Sequence, residues 1–268
     1  MRCDRCGSDA IVFQRYSGQH LCGDHLQASV RTRAMRRIRS HGWIRPGDRI
    51  AVALSGGRSS SSLLHFLFAG FGMRRDLSLV AVTVDDGMTA SRDLDRIGRI
   101  ASGMGIEWAT LSLADEYRVT LQGIPGRCGL SCTECSGLLD RALATLAREV
   151  GGTKLALGTN LDNEARSVLG RVLGGEASRL LYQVGTASEE PPRIRPFLGI
   201  PDEELALYAS LNALDTRQGG CAHALSDAER EAGNILDEYR ARHPSAPFSL
   251  VSLGEALTGG RATRSRGV

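Results

Sequence analysis

The chain has 268 residues, 42% of them hydrophobic, which suffices for one sizeable α/β core with small additions, since single cores stop growing near about 250–300 residues. A formal net charge of +3 does not by itself demand a polyanionic partner, but the surplus gathers near the N-terminus. No apolar run approaches the roughly 20 residues that span a bilayer, and Met1-Arg2-Cys3-Asp4 opens without a signal-peptide pattern, so a cytoplasmic protein with no membrane association is expected. Seven cysteines, set in two CxxC pairs and singles, fit metal or redox chemistry better than a disulfide framework.

Residues 1–27 carry Cys3, Cys6, Cys22 and His25 around a short polar hairpin that is too small to own a core. The spacing C-x2-C-x15-C-x2-H suits one tetrahedral Zn²⁺ held by all four side chains, a structural site with no open position; free thiols in a flexible arm are the alternative. Residues 28–48 form a basic linker. Its helix over Ala28–His41 places Val30, Ala34 and Ile38 on one stripe, with Arg31, Arg33, Arg36, Arg37 and Arg39 around them. Pro46-Gly47-Asp48 ends it. These arginines offer a surface for the phosphates of an RNA, or else a solvated helix face.

The main domain is expected over residues 49–225. The apolar run Arg49–Leu54 predicts a buried strand that enters the turn Ser55-Gly56-Gly57-Arg58-Ser59-Ser60, with a helix from Ser60 to about Gly70. Further strands are predicted at Leu77–Val84, Glu107–Leu113, Lys154–Gly158 and Arg193–Leu198. Helices are predicted at Ser91–Met104, Leu138–Val150, Asn163–Leu173 and Asp202–Leu211. This alternation predicts an α/β fold, a doubly wound and mostly parallel sheet. A helical tail over 226–258 and a disordered basic tail over 259–268 complete the reading.

A glycine turn between a first strand and a helix sets bare amides and a helix N-terminus against an anion. It is not a Walker loop, because the G-x-x-x-x-G-K spacing is missing. The turn resembles the SGGxDS loop of the PP-loop nucleotide α-hydrolase superfamily. With Cys132-Thr133-Glu134-Cys135, Gly158-Thr159-Asn160-Leu161-Asp162-Asn163-Glu164-Ala165, Arg193-Ile194-Arg195-Pro196-Phe197 and Gly220-Cys221-Ala222, the chain resembles the TtuA-type tRNA 2-thiouridine synthetases.

That resemblance implies a [4Fe–4S] cluster on Cys132, Cys135 and Cys221, and ATP with Mg²⁺ at Ala53, Ser55, Gly56, Gly57, Arg58, Ser59, Ser60, Val84 and Gly158. Asp162 is the carboxylate it implies for catalysis, though an Asp after a strand also serves as a helix cap. Other implied features are tRNA contacts through Arg31, Arg33, Arg36 and Arg37, a ubiquitin-like sulfur carrier protein, and a homodimer. Adenylation of a tRNA uridine followed by sulfur transfer is the implied reaction.

The chain also departs from the family pattern. Ser59 stands where the loop has Asp, Arg58 where it usually has Lys, Leu139-Asp140 where a basic pair is expected, Thr159 for His, and Asn163 for a second acid. No cysteine follows Cys221 to form the family's C-terminal zinc knuckle. These losses motivate a second reading, a paralogue that binds tRNA or a partner without adenylation. A third is a PP-loop enzyme that adenylates something else. Cys128 and His223 have no assigned role.

Overall fold

The computed structural model describes residues 1–87, 93–118, 132–176, 191–216 and 227–259. At the N-terminus, β1 (Val12–Gln14) and β2 (Gln19–Leu21) form an antiparallel hairpin around Gly18, whose φ of +70° suits a tight turn. Helix α1 (Gly23–His41) follows at once and starts five residues before the expected Ala28, so that His25 lies in its first turn. Its buried stripe is Leu26, Val30, Ala34 and Ile38, one residue per turn at spacing four, and Gly42 closes it in the left-handed conformation.

The sheet is built from β3 (Arg49–Ala53), β4 (Ser78–Asp85), β5 (Glu107–Ser112), β6 (Lys154–Ala156) and β7 (Arg193–Ile194), all parallel, in the order β5-β4-β3-β6-β7. Ile50 of β3 pairs with Leu79 on one side and Lys154 on the other, which places β3 at the centre. Side chains alternate between the two faces. Ile50, Val52 and Ala81 join the larger core, under α2 (Arg58–Phe71), α3 (Leu94–Ser102), α7 (Asp202–Leu211) and α1. On the opposite face Ala51, Val80, Val82 and Val84 meet Leu138, Ala142 and Leu146 of α5 (Cys132–Glu149). Both faces are covered, as a doubly wound sheet requires.

A short α4 (Leu113–Tyr117) follows β5, capped by the Ser112 hydroxyl, which accepts from the Asp115 amide. That cap stops the strand at Ser112, one residue before the expected end. The strand expected over Arg193–Leu198 holds only Arg193–Ile194, because Pro196 has no amide to continue the ladder. Leu161, Ala165 and Leu198 form a third core with Leu236 and Val251, joining α6 (Leu161–Leu173) to α8 (Asp227–Arg242) and α9 (Ala246–Gly259). The stretch expected as a helical tail therefore holds two helices packed on α6. Residues 260–268 lie outside the described residues.

Candidate functional site

The strand order reverses at β3: the chain proceeds outward through β4 and β5, then returns to β6 on the other side. In open α/β sheets, ligands sit beyond the carboxyl ends of the strands at such a switch point. Two turns meet there. The first, Ser55–Ser60, leaves β3; Gly56 adopts a φ of +74°, and a Cβ on it would fall 2.7 Å from Arg96 Nη2 and 2.8 Å from Ile97. Glycine is thus required twice over, by conformation and by space. The second turn leaves β6 at Gly158, where a Cβ would lie 3.0 Å from the backbone of Ser59 and Ser60.

Inside the first turn Ser60 Oγ accepts from the Ser55 amide at 3.2 Å and donates to the Gly57 carbonyl at 3.1 Å. The Gly57 amide has only a long 3.5 Å contact to Ser55 Oγ. Gly57 is the N-cap of α2, and no side chain caps that helix, so its first amides face the turn with the positive end of the helix dipole. Ala53 ends β3 and Val84 lies buried near the end of β4 beside it. The sequence-predicted loop residues are brought together as a cradle for an anion.

Around the cradle, Asn160 is fully buried and does three things. Its Oδ1 accepts from the Asn163 amide and caps α6, and its Nδ2 donates to Ser59 Oγ at 3.1 Å and to Asp202 Oδ1 at 2.9 Å. The other Asp202 oxygen accepts from Arg58 at 2.7 Å. Asn160 lies in the Gly158–Ala165 motif but has no role assigned by sequence, and Asp202 enters there only as the start of a helix.

Asp162, for which the resemblance implies a catalytic role, has both oxygens hydrogen-bonded within the protein. Its Oδ2 accepts from the Asp202 amide and its Oδ1 from Arg240, both at 2.6 Å, and it is 5% exposed. It caps α7, while Asn160 caps its own helix α6. Both carboxylate oxygens are engaged in structural contacts.

At the N-terminus, the ligand atoms of Cys3, Cys6, Cys22 and His25 all lie within 4.8 Å of one another. Cys6 and Cys22 sulfurs stand 3.7 Å apart, and His25 Nδ1 is 3.3 Å from Cys22 and 3.5 Å from Cys3. Ligands at about 2.0–2.3 Å from a tetrahedral Zn²⁺ are separated by about 3.3–3.8 Å, the range in which these three separations fall. Burial opposes ionisation of the Cys3 thiol, but backbone hydrogen bonds at Cys22, Arg5 and Cys6 outweigh it and bring the pKa to about 6. A thiolate is the form that binds metal.

Cys132 opens α5, and Cys135 lies one turn further on, half-buried against the second core. The helix starts six residues before the expected Leu138, which puts this CxxC within a helix. Cys221, Cys128 and His223 lie outside the described residues. Asp140, whose charge replaced an expected basic pair, accepts from Arg193 at the start of β7 and is therefore neutralised locally.

The arginines of α1 divide. Arg31, Arg36 and Arg39 are exposed and line a shallow depression with Thr32, Met35 and Ser40. Arg33 instead reaches the buried Glu204, Tyr16 and the Gly199 carbonyl, and Arg37 pairs with Glu255 and lies over Trp43. Placed in the RNA-facing set by sequence, Arg33 and Arg37 border the buried stripe and are turned to intramolecular partners.

Residues 2–27 match the TtuA 2-thiouridine synthetase N-terminal LIM domain family. The whole chain is 31% identical to the tRNA 2-thiolation protein NcsA of Haloferax volcanii, covering 100% of the chain and 90% of that protein. The chain belongs to the tRNA 2-thiolation family. A second member, cytoplasmic tRNA 2-thiolation protein 1 of Bos taurus, is 32% identical over 96% of the chain and 78% of its own length. The fold matches that of the U34-tRNA thiolase NcsA from Methanococcus maripaludis, solved with its [4Fe–4S] cluster, with a TM-score of 0.86 at 23% identity over 96% of this chain and 87% of that one. The family resemblance read from the glycine turn and cysteine motifs thus extends over the full length. Among the described residues no helix is long and apolar enough to cross a membrane.

Proposed function

We propose that this chain is a cytoplasmic, ATP-dependent tRNA sulfurtransferase that converts a uridine to 2-thiouridine. The observation that carries the proposal is the junction of the Ser55–Ser60 and Gly158 turns at the switch point of a sheet in a tRNA 2-thiolation family member. ATP lies with its phosphates on the amides of Gly56, Gly57, Arg58 and Ser59, with Ser55 and Ser60 shaping the turn and Ala53 and Val84 bordering the adenine. Mg²⁺ enters with the nucleotide.

Uridine O2 attacks the α-phosphorus, forming an O–P bond as pyrophosphate leaves with its electron pair. The loop amides stabilise the charge gathered on the α-phosphate oxygens. Sulfur then adds at C2, and AMP departs with the former O2. Cys132, Cys135 and Cys221 would hold a [4Fe–4S] cluster, which three soft thiolates fit and which would supply the sulfur-handling chemistry. Asp162 takes a positioning role through α7, the reading its two contacts support over the catalytic role implied by the resemblance.

Zn²⁺ on Cys3, Cys6, Cys22 and His25 stabilises the hairpin. Arg31 and Arg36 contact tRNA phosphates, a ubiquitin-like carrier brings the sulfur, and two copies assemble as a homodimer. The test is anaerobic purification, cluster reconstitution, and measurement of tRNA-dependent pyrophosphate release together with 2-thiouridine by mass spectrometry. Intact cluster and bound tRNA with no pyrophosphate would sink the enzyme reading and leave a silent tRNA-binding paralogue.

A further inference from the structure

Arg96 sits in α3 on the face that also buries Ile97, Ile100 and Ala101, a position where packing alone calls for an apolar residue. Its side chain is 6% exposed. Burying a guanidinium is costly unless its donors are used, and they are directed at two carbonyls. Nη1 donates to Gly56 O at 3.2 Å and to Asp215 O at 2.8 Å. Nε is buried with no hydrogen-bond partner among the described residues, and the carboxylate of Asp93 stands 4.0 Å from it. Nη2 lies against Gly56, at 2.7 Å from where a Cβ would be. Arg58, the turn's own cation, is hydrogen-bonded to Asp202, whereas Arg96 donates to neutral carbonyls.

A trans peptide points its carbonyl and the next amide in opposite directions. Fixing Gly56 O against Arg96 therefore directs the Gly57 N–H to the other side, the side on which α2 presents its uncapped amides. Asp215 follows α7, so the same guanidinium ties the turn to the stretch just after that helix.

We propose that Arg96 is a positioning residue of the nucleotide-phosphate site, which orients the Gly56–Gly57 peptide for an anion and fastens that turn to the backbone at Asp215. This rests on the nucleotide reading above. The test uses the full chain, purified anaerobically with metal and cluster, and compares the parent with Arg96→Met and Arg96→Lys.

ATP and adenosine affinities are read by equilibrium dialysis, and amide exchange is followed over residues 54–60. Arg96→Met should weaken ATP about tenfold or more, the scale of a lost hydrogen bond to a charged group, with adenosine little changed and faster exchange at Ser55, whose amide the turn holds on Ser60 Oγ. Arg96→Lys keeps the charge without the fork and should fall between; it carries the test if the Met variant does not fold. Parental ATP affinity in the variants overturns the role of Arg96, as does an equal loss for adenosine and ATP, which marks general loosening. A parent that binds no ATP refutes the nucleotide reading itself, and the proposal with it.

Discussion

Substituting Asp162 separates a structural carboxylate from a catalytic one. Asp162→Ala removes the acceptor for the Asp202 amide, a hydrogen bond to a charged group worth about 1.5–3 kcal/mol. It also removes the ion pair with Arg240, whose side chain is 41% exposed and which has Asp237 as a second partner at 3.1 Å, so this part is worth at most about 1 kcal/mol. The sum is about 3 kcal/mol. For a chain of this size, at about 2–4 °C per kcal/mol, the midpoint should fall by roughly 6–12 °C. Asp162→Asn retains an acceptor for the Asp202 amide and should lose only about 1 kcal/mol. Thermal unfolding by circular dichroism checks the shifts, and tRNA-dependent pyrophosphate release, assayed well below the midpoint, checks chemistry. Release by the Asn variant should stay within about tenfold of the parent. An Asn variant with the parental midpoint but release reduced by several orders of magnitude would refute the reasoning and restore the catalytic carboxylate.

Gly158→Ala should weaken ATP binding, measured by dialysis, because its Cβ meets the backbone of Ser59 and Ser60 at 3.0 Å and must displace the phosphate turn, at a stability cost of about 1–3 kcal/mol. Glu204→Ala should lower stability by about 3 kcal/mol in urea titrations, since it leaves the mostly buried Arg33 without its carboxylate and Gln14 and Tyr16 without an acceptor. Reversing Arg31 and Arg36 to Glu should weaken tRNA binding and flatten its salt dependence, whereas Arg37→Gln should chiefly affect stability; filter binding across salt concentrations distinguishes them. Burial, reinforced by the charge of Arg31, holds the His65 imidazole below its usual value. The folded state then disfavours its proton, so this group's contribution is present above the unfolded pKa and lost as pH falls through about 6.5 and below; His65→Phe should flatten that part of a stability–pH curve.

Local physics made the sheet legible. Arg49–Leu54 and Leu77–Val84 are apolar runs between turn residues, and both became central strands because burial on two faces needs continuous apolar sequence. The metal knuckle was legible for another reason: ligand spacing is a property of the chain itself. The start of α5 was not, for Cys132 to Gly137 carries no helical apolar stripe. Tertiary partners decided the rest. Nothing near Asp162 in sequence announces that the Asp202 amide, forty residues on, occupies its Oδ2, and nothing near Arg33 announces Glu204. In each case one charged residue looked available for chemistry until its partner came from a distant helix.

The same point changes how the loss of an acid at Ser59 should be weighed. A carboxylate still stands at the turn, but it comes from α7: Asp202 holds Arg58 and, through Asn160, reaches the Ser59 hydroxyl. The turn's own cation is thereby matched, while Arg96 brings a charge from α3 whose side-chain hydrogen bonds, among the described residues, go to carbonyls, with Asp93 standing 4.0 Å from its Nε. The charges around the turn come from α2, α3 and α7, and helix-terminal amides and Arg96 both favour an anion there. A motif compared letter by letter counts Ser59 as a loss; the folded chain supplies both signs of charge around the turn from other elements.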